Sequence, residues 1–204
     1  MKYKDKHIIG ITGGIGTGKT TVLEMFKTEF DAEIIEADHI GHVVTEPGAS
    51  AYRPVVDAFG ETILNHTDMT IDRKRLGDIV FSDKEKLKLL NSITHPLIHQ
   101  EIEKIISMST KKLVILEAAI LTETTLKDIC DEIWYIYSDE SIRIERLAKY
   151  RGMSEEKARS IIANQPLDNE FRKCCHVEIN NSGDRENTLM QIKENIPGGK
   201  LWEK

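Results

Sequence analysis

Cysteine is scarce in this chain: Cys130, Cys174 and Cys175 are the only three in 204 residues. Two neighbours and one distant thiol form no disulfide framework, which excludes a disulfide-stapled fold and points to a reducing compartment. Long hydrophobic runs are missing too, and none approaches the length needed to cross a bilayer. The opening residues Met1 to Lys6 lead into only a few apolar positions, too few for a secretory signal, so none is expected. The net charge of −6 excludes generic affinity for nucleic acid or an anionic membrane. The chain has no internal repeats and no low-complexity tract, and no Asn-Lys-x-Asp signature of guanine-nucleotide switches. His42, His66, His99 and His176 show no spacing that would hold zinc. The expectation is a cytoplasmic, monomeric protein with small-molecule partners.

What is present is a core-forming sequence, 40% hydrophobic and 30% charged, within the range of ordinary globular domains and long enough for one sizeable core. Near its start the apolar run Ile8 to Thr12 stops at a glycine cluster, and Lys19-Thr20-Thr21 opens a helix-compatible stretch. Gly13, Gly18, Lys19 and Thr20 stand at the spacing G-x-x-x-x-G-K-[ST]. Each residue type has a reason. Glycines permit positive φ and close approach, so that the N–H groups of Gly14, Ile15, Gly16, Thr17 and Gly18 can converge on phosphate oxygens. The helix that follows adds unpaired N–H groups and a positive dipole end. Lys19 reaches the outer phosphates and the Thr20 hydroxyl can ligate Mg²⁺. A chain of average composition and this length would match the pattern by chance about 1% of the time, so nucleotide binding is the expected role.

Short apolar runs alternate with amphipathic stretches, which predicts an α/β fold with a five-stranded parallel sheet flanked by helices. The strands are expected at residues 7–12, 33–36, 113–116, 133–137 and 177–180. Helices are expected at 19–30, 52–59, 73–81, 84–93, 97–108 and 184–196, the last stopped by Pro197-Gly198-Gly199. Asp72 and Ser82 suit N-caps, and Pro96 suits a first helical turn. Two helical stretches interrupt the alternation. The chain therefore reads as a single P-loop kinase domain with a core at about 1–58, 109–138 and 176–204. An acceptor-binding insertion is expected at about 59–108 and a lid at about 139–175, broken at Gly152 and restarted at Ser154.

Phosphoryl transfer needs positioning, charge neutralisation, a metal and a group that orients the nucleophile. Asp38 follows the second strand, so it belongs at the carboxyl edge of the sheet, where a carboxylate can accept a hydroxyl proton; an N-cap role ahead of His39 fits equally. Glu117 ends the third strand, where P-loop enzymes place an acid that supports Mg²⁺, though many strands end in a glutamate without function. Arg143, Arg146, Lys149 and Arg151 crowd the second helical stretch beside Glu140 and Glu145, either as a solvated face or as a source of a lid arginine. His95, before Pro96, reads as a cap or surface residue. Cys174 and Cys175 read as structural.

With these residues in place, the sequence resembles the dephospho-CoA kinase family nearly from end to end. The resemblance runs through Thr12 to Thr21, Ala37-Asp38-x-Ile40, Phe59-Gly60, Ile71-Asp72-Arg73 with Leu76, and Val80-Phe81-x-Asp83. It is most distinctive at Ile93-Thr94-His95-Pro96-x-Ile98, and continues in Leu121-x-Glu123, Arg146, Gln165 and Asn181-Ser182-Gly183. It implies a P-loop NTPase fold and ATP-dependent phosphorylation of the ribose 3′-hydroxyl of dephospho-CoA, with Mg²⁺. Carried over by position, Asp38 is the base, Lys19 the phosphate clamp and Arg146 the lid arginine. Gly14 to Thr21, Arg146 and Asn181 would bind ATP, and Thr20 and Glu117 the metal. Thr12, Asp38, His42, His95, Leu121 and Glu123 would bind the acceptor. The chain departs from the family pattern at Glu36 (usually Asp), Gly41-His42 (usually Ala-Arg) and Glu117-Ala118-Ala119 (usually Asp-x-Pro). It departs again at Tyr150, where the lid's second arginine is displaced to Arg151, and at Cys175-His176 (usually Ala-Asp). Arg151 can replace that arginine only if the helix unwinds before Gly152.

Overall fold

The computed structural model describes residues 3, 5–118, 121 and 125–196. Glu123 and the Pro197-Gly198-Gly199 stop lie outside these residues. Two compact units are present: one runs to Ile35 and resumes at Thr110, and the other is Glu36–Ser109. The second unit thus starts at the end of the second strand, whereas the sequence pattern places the start of the insertion at about residue 59.

The first unit carries the sheet. Strands β1 (His7–Thr12), β2 (Glu33–Glu36), β3 (Leu113–Glu117), β4 (Glu132–Tyr137) and β5 (Val177–Asn180) lie in the order β2-β3-β1-β4-β5. β1 pairs in parallel with both β3 and β4, and β4 with β5. β1 and β3 are buried along nearly their whole length, which is why both read as continuous apolar runs without alternation. Helix α1 (Lys19–Phe30) and the closing helix α9 (Arg185–Asn195) supply Phe26, Phe30 and Ile192 to a core shared with Ile9, Ile115 and Trp134. The Trp134 ring meets Phe26 edge-on at 5.6 Å, and its indole N–H donates to Glu132 at 3.0 Å. That bond lets a polar atom enter the core at little cost.

Chain order creates one topological switch. From β1 the chain leaves through α1 towards β2, and from β3 it leaves in the opposite direction towards β4. The carboxyl ends of β1 and β3 therefore open a crevice, the usual ligand position in open α/β sheets. β4 is followed by α6 (Glu140–Arg151), α7 (Glu155–Ala163) and α8 (Asp168–Cys174). The break at Gly152 is a left-handed C-cap, and Ser154 caps α7, as expected from sequence. α8 is held by Tyr135, whose hydroxyl donates to Asp168 and whose ring stacks on Phe171 at 4.8 Å. Burial and that hydrogen bond raise the Tyr135 pKa, so it stays a neutral donor.

The second unit is helical: α2 (Ala37–Val43), α3 (Tyr52–Phe59), α4 (Arg73–Phe81) and α5 (Lys84–Met108). α5 packs against α2, α3 and α4. The sequence pattern splits α5 at Pro96; the structure keeps it as one helix with Pro96 inside. Proline there removes one backbone donor and its ring crowds the carbonyl of Ser92, a cost that the packing of α5 against α2, α3 and α4 offsets; the neighbouring Thr94 hydroxyl bonds back to Leu90 O at 2.9 Å. The cap of α5 is Asp83 rather than Ser82, its carboxylate accepting from Glu85 and Lys86 N–H, while Asp72 caps α4 as expected.

Candidate active site

The phosphate loop bridges β1 and α1. Gly13, Gly16 and Gly18 hold φ of 153°, 79° and 84°, and Gly18 is the left-handed N-cap from which Lys19 starts α1. Only glycine takes such angles without strain. The loop also closes on itself, since the Thr17 hydroxyl donates to Gly14 O at 2.9 Å. Lys19 Nζ donates to Gly13 O at 2.9 Å and lies 3.6 Å from Glu117 Oε1 at the end of β3. The lysine and the strand-terminal acid thus span the switch-point crevice. Thr20 and Thr21 are exposed on the first turn of α1, while Thr12 and Leu121 are fully buried. A Cβ at Gly10 would lie 2.4 Å from Leu121 Cδ2, so in this conformation Leu121 packs on the central strand rather than offering a surface.

The loop is held from outside by groups that follow β4 and β5. Thr17 O accepts from Asn181 Nδ2 at 2.8 Å, Ser138 Oγ at 3.1 Å and Arg146 Nη1 at 3.3 Å. Arg146 also donates to Ser138 Oγ and Asn181 O, and Asn181 Oδ1 accepts from the buried Thr188 hydroxyl. A Cβ at Gly18 would lie 2.3 Å from Asn181 Nδ2, a second reason for glycine there. Arg143, one of the four cations read as a solvated face or a source of a lid arginine, and Gln165, present only as part of the resemblance, grip the loop at Ile15. Arg143 is only 6% exposed, so the solvated-face reading fails for it and holds for Lys149 and Arg151. α6 continues as helix through Arg151. The unwinding that Arg151 would need to take the place of Tyr150 is absent.

Residues 7–187 match the family model described as dephospho-CoA kinase. The chain belongs to the dephospho-CoA kinase family. It is 39% identical over 196 residues to the dephospho-CoA kinase of Lactobacillus johnsonii, covering 93% of this chain and 98% of that one. It is 42% identical over 189 residues to the dephospho-CoA kinase of Carboxydothermus hydrogenoformans, covering 91% and 90%. The solved dephospho-CoA kinase of Campylobacter jejuni superposes with a TM-score of 0.66 at 25% identity, covering 93% of this chain and 94% of that one.

The departure from the dephospho-CoA kinase pattern at Cys175-His176 has a local explanation. His176 Nδ1 accepts the Ile133 N–H at 2.9 Å and the His176 backbone N–H donates to Ile133 O, so ring and backbone together pin the start of β5 to β4. Burial pushes the Cys175 and Cys130 thiols up to about 12, which leaves both inert as nucleophiles at neutral pH. Within the second unit, Asp38 and His95 are exposed, Asp38 in the first turn of α2 and His95 midway along α5. The cap of α2 is Glu36, which removes the N-cap reading of Asp38. His42 is exposed, yet partial desolvation of its ring, then the charges of Arg73 and His39, lower its pKa. Arg73, quoted only as part of a motif, lines a cavity of about 440 Å³ with Glu46, Asn65, Thr70 and Asp72. Arg73 opens α4 with two further cations, Lys74 and Arg75, behind it, so nothing in the sequence singles it out.

Proposed function

We propose that this chain transfers the γ-phosphoryl group of ATP to the 3′-hydroxyl of the ribose of dephospho-CoA, giving coenzyme A and ADP. The observation that carries this reading is the phosphate loop at the switch point, with Lys19 and Glu117 across the crevice, in a chain of this family. Lys19 and the loop N–H groups bind and neutralise the β- and γ-phosphates. Asp38 takes the proton of the attacking hydroxyl, and Arg146 stabilises the transferring group. Asn181 holds the loop beneath the nucleotide, and His42, His95 and Arg73 serve the acceptor. Residues 139–175 form the lid. Thr20 and Glu117 offer the hard oxygen donors that suit Mg²⁺, which is commonly held by one or two protein groups plus phosphates and water. When bound, that ion supplies charge neutralisation on the β- and γ-oxygens. The protein works in the cytoplasm as a monomer.

A coupled ADP-release assay over dephospho-CoA, adenosine, AMP and small alcohols tests this. Turnover is expected with dephospho-CoA and MgATP and to fall sharply with the others. Preference for another acceptor points to a different P-loop kinase, and no turnover points to a ligand-binding relative.

His42 provides a finer test. With its pKa lowered from 6.5, the ring is neutral at pH 7.5, where the family usually places an arginine. His42→Arg is expected to tighten dephospho-CoA binding about two- to fivefold at pH 7.5, the scale of an exposed charge pair. The gain should shrink as pH falls well below 6.5, because the wild-type ring then gains its own proton. Calorimetry showing equal or weaker binding at pH 7.5 removes His42 from the acceptor site.

A further inference from the structure

Arg143 is a buried cation that bonds to the phosphate loop and to Gln165. Its Nε donates to Ile15 O at 2.8 Å and its Nη2 to Gln165 Oε1 at 3.0 Å. The same Gln165 oxygen accepts the Ile15 N–H at 2.8 Å. Both polar groups of the Ile15 backbone are therefore held by side chains, one from the first turns of α6 and one from the turn after α7. The Ile15 side chain completes the grip by packing against Ile144, Leu147 and Ala158.

The neighbouring glycines are shaped to admit this arginine. A Cβ at Gly14 would sit 2.5 Å from Arg143 Nη2 and 2.9 Å from Gln165 Oε1. A Cβ at Gly16 would sit 3.0 Å from the Arg143 carbonyl. The arginine thus lies flat along the outside of the loop.

A trans peptide holds its C=O and the following N–H antiparallel. Drawing Ile15 O towards α6 turns the Gly16 N–H to the opposite side, where the amides of a phosphate loop gather. Glycine's backbone freedom would otherwise let this peptide flip. Asn181 acts in the same way two peptides further on, at Thr17 O.

We propose that Arg143 is a positioning residue for the triphosphate: with Gln165 it fixes the Ile15–Gly16 peptide so that the Gly16 N–H faces phosphate, without itself touching the nucleotide. This rests on the loop being the ATP site. Replacing the arginine leaves the Ile15 carbonyl without its charged donor and the loop peptide free to rotate, a loss that scales as one charge-assisted hydrogen bond.

The test uses the full chain with Arg143→Gln, Arg143→Lys and Gln165→Leu. In ligand-free protein the Gly16 amide is expected to be rigid, with an order parameter near 0.85, and to fall below about 0.6 in Arg143→Gln. ADP binding by calorimetry should weaken about tenfold in that variant, with KM for dephospho-CoA unchanged. Adding Gln165→Leu to Arg143→Gln should cost less than the two single effects combined, because both act on one peptide. Arg143→Lys, whose ammonium lacks the planar fork that places Nε and Nη2 on two separate oxygens, and Gln165→Leu alone should each weaken ADP binding; they keep the test open should Arg143→Gln fail to fold. A drop in melting temperature with Gly16 still rigid and ADP binding intact would overturn the inference and leave Arg143 a brace for α6. Wild-type protein that binds no ADP would overturn the reading of the site itself, and the inference with it.

Discussion

Asp38→Asn is expected to lower kcat by about 10²–10⁴, the usual contribution of a positioned general base, while ADP affinity and melting temperature hold. The substitution is nearly isosteric and removes only the charge and the basic oxygen. Asp38 is exposed in the first turn of α2, and its carboxylate accepts no hydrogen bond among the described residues. It caps nothing, so the fold has little to lose beyond a small favourable term with the helix dipole. Nucleotide binding belongs to the loop between β1 and α1, which Asp38 does not build. A fall in kcat with unchanged ADP binding, read by steady-state kinetics and calorimetry on the same preparation, therefore isolates the chemical step. An unchanged kcat would remove Asp38 from the base role.

The parts of this molecule that were legible in the sequence are those governed by local chemistry. The phosphate loop is one: three positive-φ glycines and a lysine at fixed spacing permit few other structures. β1 and β3 are another, because strands buried on both faces must be apolar throughout. Asp72 and Ser154 announce helix starts through their own side chains. The misreadings lie where distant groups decide. Pro96 looked like a helix start, but α5 runs on through it, and tertiary packing readily outweighs one lost hydrogen bond. Arg143 looked like one more surface cation among Arg146, Lys149 and Arg151. Its bonds to Ile15 and Gln165 span 128 and 22 residues of sequence, so no window around α6 contains its partners. The same holds for Asn181, whose target at Thr17 lies 164 residues away. Sequence shows which residue types a phosphate loop needs, but not which side chains hold its carbonyls.

Arg146→Ala is expected to lower kcat/KM for ATP by about 10³ or more, at the low end of what an arginine on the transferring phosphate supplies. Arg151→Ala should stay within a few fold of wild type. The two positions are five residues apart on one continuous helix, about 140° around its axis, so they cannot serve the same point. Arg146 already bonds to Thr17 O, Ser138 Oγ and Asn181 O. That would make a purely structural collapse the competing account, and the geometry separates the two. Thr17 O keeps Asn181 and Ser138 as donors when Arg146 is removed, so that carbonyl loses one of three donors while Arg143 and Gln165 still hold Ile15. The melting temperature should therefore fall by only about 2–4 °C, as for a loss near 1 kcal/mol in a chain of this size. Arg146→Lys should recover stability better than rate, because a single ammonium can satisfy a carbonyl but cannot present the planar fork that phosphate takes from arginine. A stability loss large enough to track the loss of rate across Ala and Lys would make Arg146 a brace alone. Equal kinetic damage from Arg151→Ala would show that the end of α6 unwinds and brings a second cation to the phosphates.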